Sequence, residues 1–145
     1  MTTTMSRGER EAFLAGVHVG ILGVDDPGHA PLTVPVWYAY EPGATVDFIT
    51  RRGSTKARLL RTAGTCSLCA QSEIPPYSFV SVDGPVSWGE DPSDPEALRG
   101  LAYRYLGPEG GEAFMAATAG DAPTNVMFRL TPERWRTADF SKQSG

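Results

Sequence analysis

Lysine is almost missing from this chain. It occurs only at Lys56 and Lys142, so nearly all positive charge is arginine. Histidine is limited to His18 and His29, and cysteine to Cys66 and Cys69. A structural zinc site on the two thiols would need two more ligands, and only the two isolated histidines remain. The segment TCSLCAQS around the thiols reads as a strand, and positions three apart on a strand face opposite sides. The CxxC spacing therefore predicts separate buried thiols, not a metal or disulfide pair. No G-x-G-x-x-G or P-loop is present. The apolar stretches GVHVGILGV and APLTVPVWYAY are far too short to span a bilayer. The opening MTTTMSRGERE lacks the apolar core of a secretory signal, which predicts a cytoplasmic protein. At 145 residues, 41% hydrophobic and 21% charged, the chain reads as one soluble domain over 1–145. Residues 1–5 and 141–145 are expected to be flexible tails.

Short strand patterns dominate what is present. Residues 17–24, 31–40 and 45–50 read as strands separated by Asp25-Asp26-Pro27-Gly28-His29 and Glu41-Pro42-Gly43, and so as an antiparallel meander. Residues 65–71 and 78–88 are two more, the second interrupted by Gly84-Pro85, which suits a bulge or barrel corner. Residues 125–131 and 134–139 close the set. Helices are expected at 6–15, with Ser6 and Glu9 as a capping box, and at 54–63. Another follows Asp94-Pro95 after the acidic turn Glu90–Asp94 and stops at Gly107-Pro108, and one more spans 109–118. Seven short strands without βαβ alternation predict a mainly β fold, a small antiparallel barrel with inserted helices.

The densest chemistry lies in TVPVWYAY followed by VDFITRRGSTKARLLR. Arg51, Arg52, Lys56, Arg58 and Arg61 crowd together with no acid between Asp47 and Glu73, on a chain of formal net charge -4. A basic cluster on an acidic protein points to a local anion site and away from nucleic acid. Ser54 is placed to cap the helix, whose N-terminus favours anions, and Gly53 lets a ligand approach the backbone. Thr50, Ser54 and Thr55 offer hydroxyls; Arg51, Arg52 and Lys56 offer charge. The competing reading is a capped, solvated helix with surface arginines. Upstream, alternation puts Thr33, Pro35 and Trp37 on one face and Val34, Val36 and Tyr38 on the other. Both faces are apolar enough to predict burial on both sides. Pro35 requires an edge or bulge.

TVPVWYAY, VDFITRRGSTKARLLR, PPYSFVSVDGPV and LAYRYLGPEGG together resemble the pyridoxamine 5'-phosphate oxidase-like split barrels, also called flavin/deazaflavin oxidoreductases. The resemblance runs from about Glu9 to about Phe140, and Arg104–Gly107 is similar to actinobacterial members. It implies a six-stranded Greek-key split barrel, a homodimer, and a cofactor groove at the subunit interface holding FMN or coenzyme F420. Carried onto this chain, the backbone at Val34, Pro35 and Val36 would lie against the ring. Thr50, Arg51, Ser54 and Lys56 would hold the phosphate, with Arg61 nearby and Arg52 either helping or facing solvent. Trp37 and Tyr77 are candidate substrate-side aromatics, and Trp88 is expected in the core. The C-terminal Arg134-Trp135-Arg136-Thr137-Ala138-Asp139-Phe140 lacks the His of the R-x-H-x-R motif in oxidases proper, so pyridoxal phosphate synthesis is not expected.

No catalytic acid–base pair is visible. His18 reads as a satisfied core or interface residue and His29 as exposed. Three functions follow: an F420-dependent reductase of a small unsaturated organic substrate, an FMN-dependent oxidoreductase, and a non-catalytic cofactor carrier. Five basic residues exceed the need of one phosphate and favour F420, whose oligoglutamate tail is also anionic. No axial His is apparent for a haem.

Overall fold

A computed structural model describes residues 2–89 and 91–143; the acidic-turn assignment at Glu90 falls outside them. The sheet begins with β1 (Gly20–Val24) and β2 (Leu32–Val36), paired antiparallel with Ile21 opposite Pro35. β3 (Val46–Arg51), β4 (Thr65–Ser72), β5 (Ser78–Trp88), β6 (Asn125–Leu130) and β7 (Arg134–Asp139) complete it. Six strands follow one path, β2-β1-β4-β5-β6-β3, and β7 pairs with β5 beside it. The result is a mainly antiparallel sheet curled into a split barrel with helices attached.

The expected meander does not form through its third strand. β3 pairs along its whole length with β6, from Val46 opposite Leu130 to Arg51 opposite Asn125. Its link to the chain after β2 is a single bridge, Ala39 to Asp47. Sequence neighbours were displaced by a better partner: Phe48 lies opposite Phe128, both fully buried, their rings 6.0 Å apart. Burying a side chain of that size contributes about 2–3 kcal/mol.

The Gly84-Pro85 interruption is a corner. β5 pairs with β4 through Pro85 and with β7 from Ser78 to Asp83, then changes partner to β6 from Val86 to Trp88. A Cβ on Gly84 would collide with the Thr131 carbonyl oxygen, so the close crossing requires glycine. Beyond the corner Trp88 is 45% exposed, its ring 6.0 Å from that of Phe128, against the expected core position. The strand face that carries it has run past the body of the barrel.

β2 is an edge strand, as Pro35 required, but it is not buried on both sides. Val36 and Tyr38 point into the core and Val34 packs against it, whereas Thr33 and Pro35 are exposed. Cys66 is buried and Cys69 half-buried, both free, and burial pushes the Cys66 thiol up to about 12.

α1 (Arg7–Ala15) starts with the capping box: Ser6 Oγ accepts from Glu9 N, and Ser6 N donates to Glu9 Oε1. The described parts of the expected tails bond across to other segments. Asp139 N donates to the Thr3 carbonyl, Met5 N donates to Thr137 Oγ1, and Lys142 Nζ reaches both the Thr4 carbonyl and Glu9. His18 stacks on Phe13 at 4.4 Å and is partly buried, and His29 is exposed. No described helix is long and apolar enough to cross a membrane.

Candidate functional site

Two helices and the β2 edge build one groove. α2 (Thr55–Ala63) is entered through Ser54, whose Oγ accepts from Ala57 N at 3.1 Å. The same Oγ lies 3.1 Å from Thr50 Oγ1 at the end of β3, and Thr50 is buried. Two hydroxyls are thereby fixed at the helix start, where backbone N–H groups lack intrahelical partners. Lys56, on the first turn, makes no ion pair among the described residues.

α3 (Pro95–Ala117) supplies the opposite wall. Asp94 caps it by accepting from Glu96 N, Pro95 opens it, and it kinks at Gly107 (φ 76°) before Pro108. The halves are tied across the kink: Tyr103 Oη donates to Glu112, and Arg99 pairs with both Glu96 and Glu112. The hairpin docks through Tyr105, whose hydroxyl donates to the His18 carbonyl at 2.6 Å and accepts from Tyr38 N at 3.1 Å. Arg104 donates to the carbonyls of Ala15 and Gly16. Trp37 is stacked on Tyr105, with centroids 5.2 Å apart, and against Phe114 at 5.0 Å.

The cavity so formed has two ends. The apolar end, about 370 Å³, is walled by Pro35, Val36 and Trp37 from one side and Leu98, Leu101 and Phe114 from the other. The polar end, also about 370 Å³, presents Thr50, Arg51, Ser54, Thr118, Asp121 and Asn125. Ile49, Lys56, Leu98 and Phe114 line both, so the two are continuous.

Of the residues singled out by sequence, Pro35, Val36, Trp37, Thr50, Arg51, Ser54 and Lys56 meet in this groove. The others are placed elsewhere. Val34 packs inward. Arg52 is paired with Asp91 at 2.5 Å, and Arg61 donates to the Arg52 carbonyl and lies over Phe128. Tyr77 is 53% exposed and lies off the groove walls. Sequence reading missed Ile49, Leu98, Leu101 and Phe114 as walls. The only signal for the last three was an apolar helix face, which normally means core. It also missed Asp121, which pairs with Arg51 at 2.7 Å.

An apolar slot opening onto hydroxyls and a lysine suits a flat ring with an anionic tail. The sequence profile described as pyridoxamine 5'-phosphate oxidase matches residues 7–139. The chain belongs to the pyridoxamine 5'-phosphate oxidase family. The split barrel of this family member is shared by solved structures. A conserved hypothetical protein from Mycobacterium tuberculosis is 26% identical, with TM-score 0.77 over 99% of this chain and 90% of its own. A protein described as an F420 reductase is 22% identical, with TM-score 0.71 over 87% and 94%. An FAD-binding protein from Mesorhizobium loti is 22% identical, with TM-score 0.64 over 92% of each chain. No curated protein matches the sequence.

Proposed function

We propose that this family member is an oxidoreductase that uses coenzyme F420 to reduce a small unsaturated organic substrate. The observation that carries the reading is the continuity of the groove: an apolar slot along the Pro35–Trp37 edge runs into the Thr50, Ser54 and Lys56 cradle. Its size lies in the range of small-molecule sites, about 300–1,000 Å³. The donor set fits the cofactor. Pro35 and Val36 would lie against the ring, the hydroxyls of Thr50 and Ser54 and the ammonium of Lys56 would take the phosphate, and Arg51 would assist. Likeness to a protein described as an F420 reductase supports the same choice at the level of fold.

Bound there, the cofactor supplies the hydride chemistry. The chain supplies position and an apolar wall beside the ring, in a slot that stays open to solvent at its mouth. Leu98, Leu101 and Phe114 line the slot across from the strand edge, and the Tyr105 hydrogen bonds hold that wall to the strand edge. Lys56 is the one ionisable side chain among the described walls of the apolar end. Proton delivery to the reduced substrate is therefore assigned to solvent.

A homodimer completes the reading. Val17, Val19 and Ile21, at 59%, 50% and 42% exposure, present apolar surface near exposed Pro35, and a second copy would cover it. The absence of a carboxylic acid or imidazole from the described apolar walls favours one alternative, a non-catalytic cofactor carrier. FMN in the same groove is the other cofactor choice.

The test is fluorescence titration with F420 and with FMN, followed by turnover of the reduced cofactor against unsaturated acceptors. Micromolar or tighter F420 binding with oxidation on adding acceptor supports the reductase. Tight binding without turnover moves the protein to the carrier reading, and preference for FMN moves it to the flavin branch. Light scattering giving a monomer at micromolar concentration would remove the dimer.

A further inference from the structure

We infer that Asp121 sets the charge accepted at the polar end of the groove and selects a phosphodiester monoanion over a phosphomonoester dianion. The inference rests on the cofactor reading above and deepens it.

Among the described residues, three ionisable side chains line the polar end: Arg51, Lys56 and Asp121. Two cations and one anion leave a formal charge of +1. Arg51 Nη2 donates to Asp121 Oδ2 at 2.7 Å, so the guanidinium expected to meet a phosphate already holds a carboxylate. That carboxylate is built in. Asp121 belongs to a 3-10 turn, Ala119–Thr124, in which Asp121 N donates to the Thr118 carbonyl and Thr124 Oγ1 donates to the Asp121 carbonyl. Arg52 N then donates to the Thr124 carbonyl at 2.7 Å, tying the turn to the strand end that carries Arg51.

A phosphomonoester carries about -1.5 to -2 near pH 7. A phosphodiester, as in F420, carries a single charge. The diester matches the +1 end, whereas a monoester dianion leaves excess negative charge facing Asp121. Against a purely structural role stands the exposure of the pair: its side chains are 66% and 39% exposed, and such pairs add little to folding stability. Removing the carboxylate should therefore leave the fold intact and move binding.

The experiment titrates the intact protein with FMN, with the methyl phosphodiester of FMN, and with F420, in wild type and Asp121→Asn. The first two ligands share ring and chain and differ in phosphate charge. Wild type should prefer the diester. Asp121→Asn should tighten FMN by about fivefold and the diester by about twofold or less, at unchanged melting temperature. FMN binding that emerges only in the variant counts the same way. Equal changes for both flavins, or weakening of both, overturns the charge filter while leaving the groove standing. Binding of none of the three ligands by wild type sinks the cofactor reading itself, and the filter with it.

Discussion

The two ends of the groove are held by different forces. At the apolar end, Trp37 lies between Tyr105 and Phe114, and the hydroxyl of Tyr105 bonds to the backbone of both His18 and Tyr38. At the polar end the charges sit near water, and the Arg51–Asp121 pair is exposed on both sides. Packing is insensitive to salt, whereas exposed ion pairs are screened within about 8–10 Å at physiological ionic strength. The difference separates roles: the apolar end fixes shape and contributes to stability, and the polar end tunes affinity and selectivity at little cost to the fold.

That division can be broken most severely at Trp37. Trp37→Ala removes the surface on which the α3 hairpin rests and should cost about 2–3 kcal/mol, lowering the melting temperature by several degrees. An unchanged thermal unfolding curve would mean that the hairpin docks by other contacts. Lys56→Ala probes the opposite end. It should weaken cofactor binding by about tenfold and leave the melting temperature essentially where it was. A large loss of stability there would erase the distinction between the two ends. Tyr105→Phe keeps the stacking on Trp37 but removes the hydroxyl, and should cost about 1 kcal/mol in denaturant unfolding. A cost as large as that of Trp37→Ala would shift the weight from stacking to hydrogen bonding.

The smallest effect calibrates what an exposed ion pair does away from any groove. The hydrogen bond from Lys142, aided by Ser6, holds the Glu9 carboxyl down from 4.5 to about 2. A depressed carboxylate stabilises the fold above its unfolded value and loses that contribution as pH falls through the folded one. The stability gap between wild type and Glu9→Gln should be constant above about pH 5 and close as pH falls toward about 2. A gap that ignores pH would show that Lys142 contributes only through the Thr4 carbonyl.

Much of the fold was legible because its signals are local. Ser6 with Glu9, Ser54, and Asp94 with Pro95 cap the helices expected of them. The break at Gly107-Pro108 and the corner at Gly84-Pro85 fall where glycine and proline placed them. The pairing of β3 was not legible, since its choice of β6 over β2 depends on Phe128, 80 positions from Phe48 in the chain. Trp88 was misread because its exposure depends on where β5 leaves the barrel after the corner.

The groove divides along the same line. Residues contributed by one contiguous segment, Pro35 to Lys56, were reached, apart from Ile49, through the spacing at the helix start and the family resemblance. Its far walls could not: Leu98, Leu101 and Phe114 look like ordinary core residues until the kinked helix lays them over the strand edge. The basic cluster was visible as a run, but only the fold shows which charges it keeps free. Asp91 takes Arg52, Asp121 takes Arg51, and Lys56 is left without an ion pair among the described residues. By itself the sequence determined the order and type of the elements, the caps, the corners and the family, because those depend on neighbours a few residues apart and on motifs in order; it began the first strand at 17 and ran the second to 40, where the strands are Gly20–Val24 and Leu32–Val36. Tertiary structure alone decided strand partners, the second wall and the charge balance of the groove, because those depend on which distant segments are brought within a few ångströms.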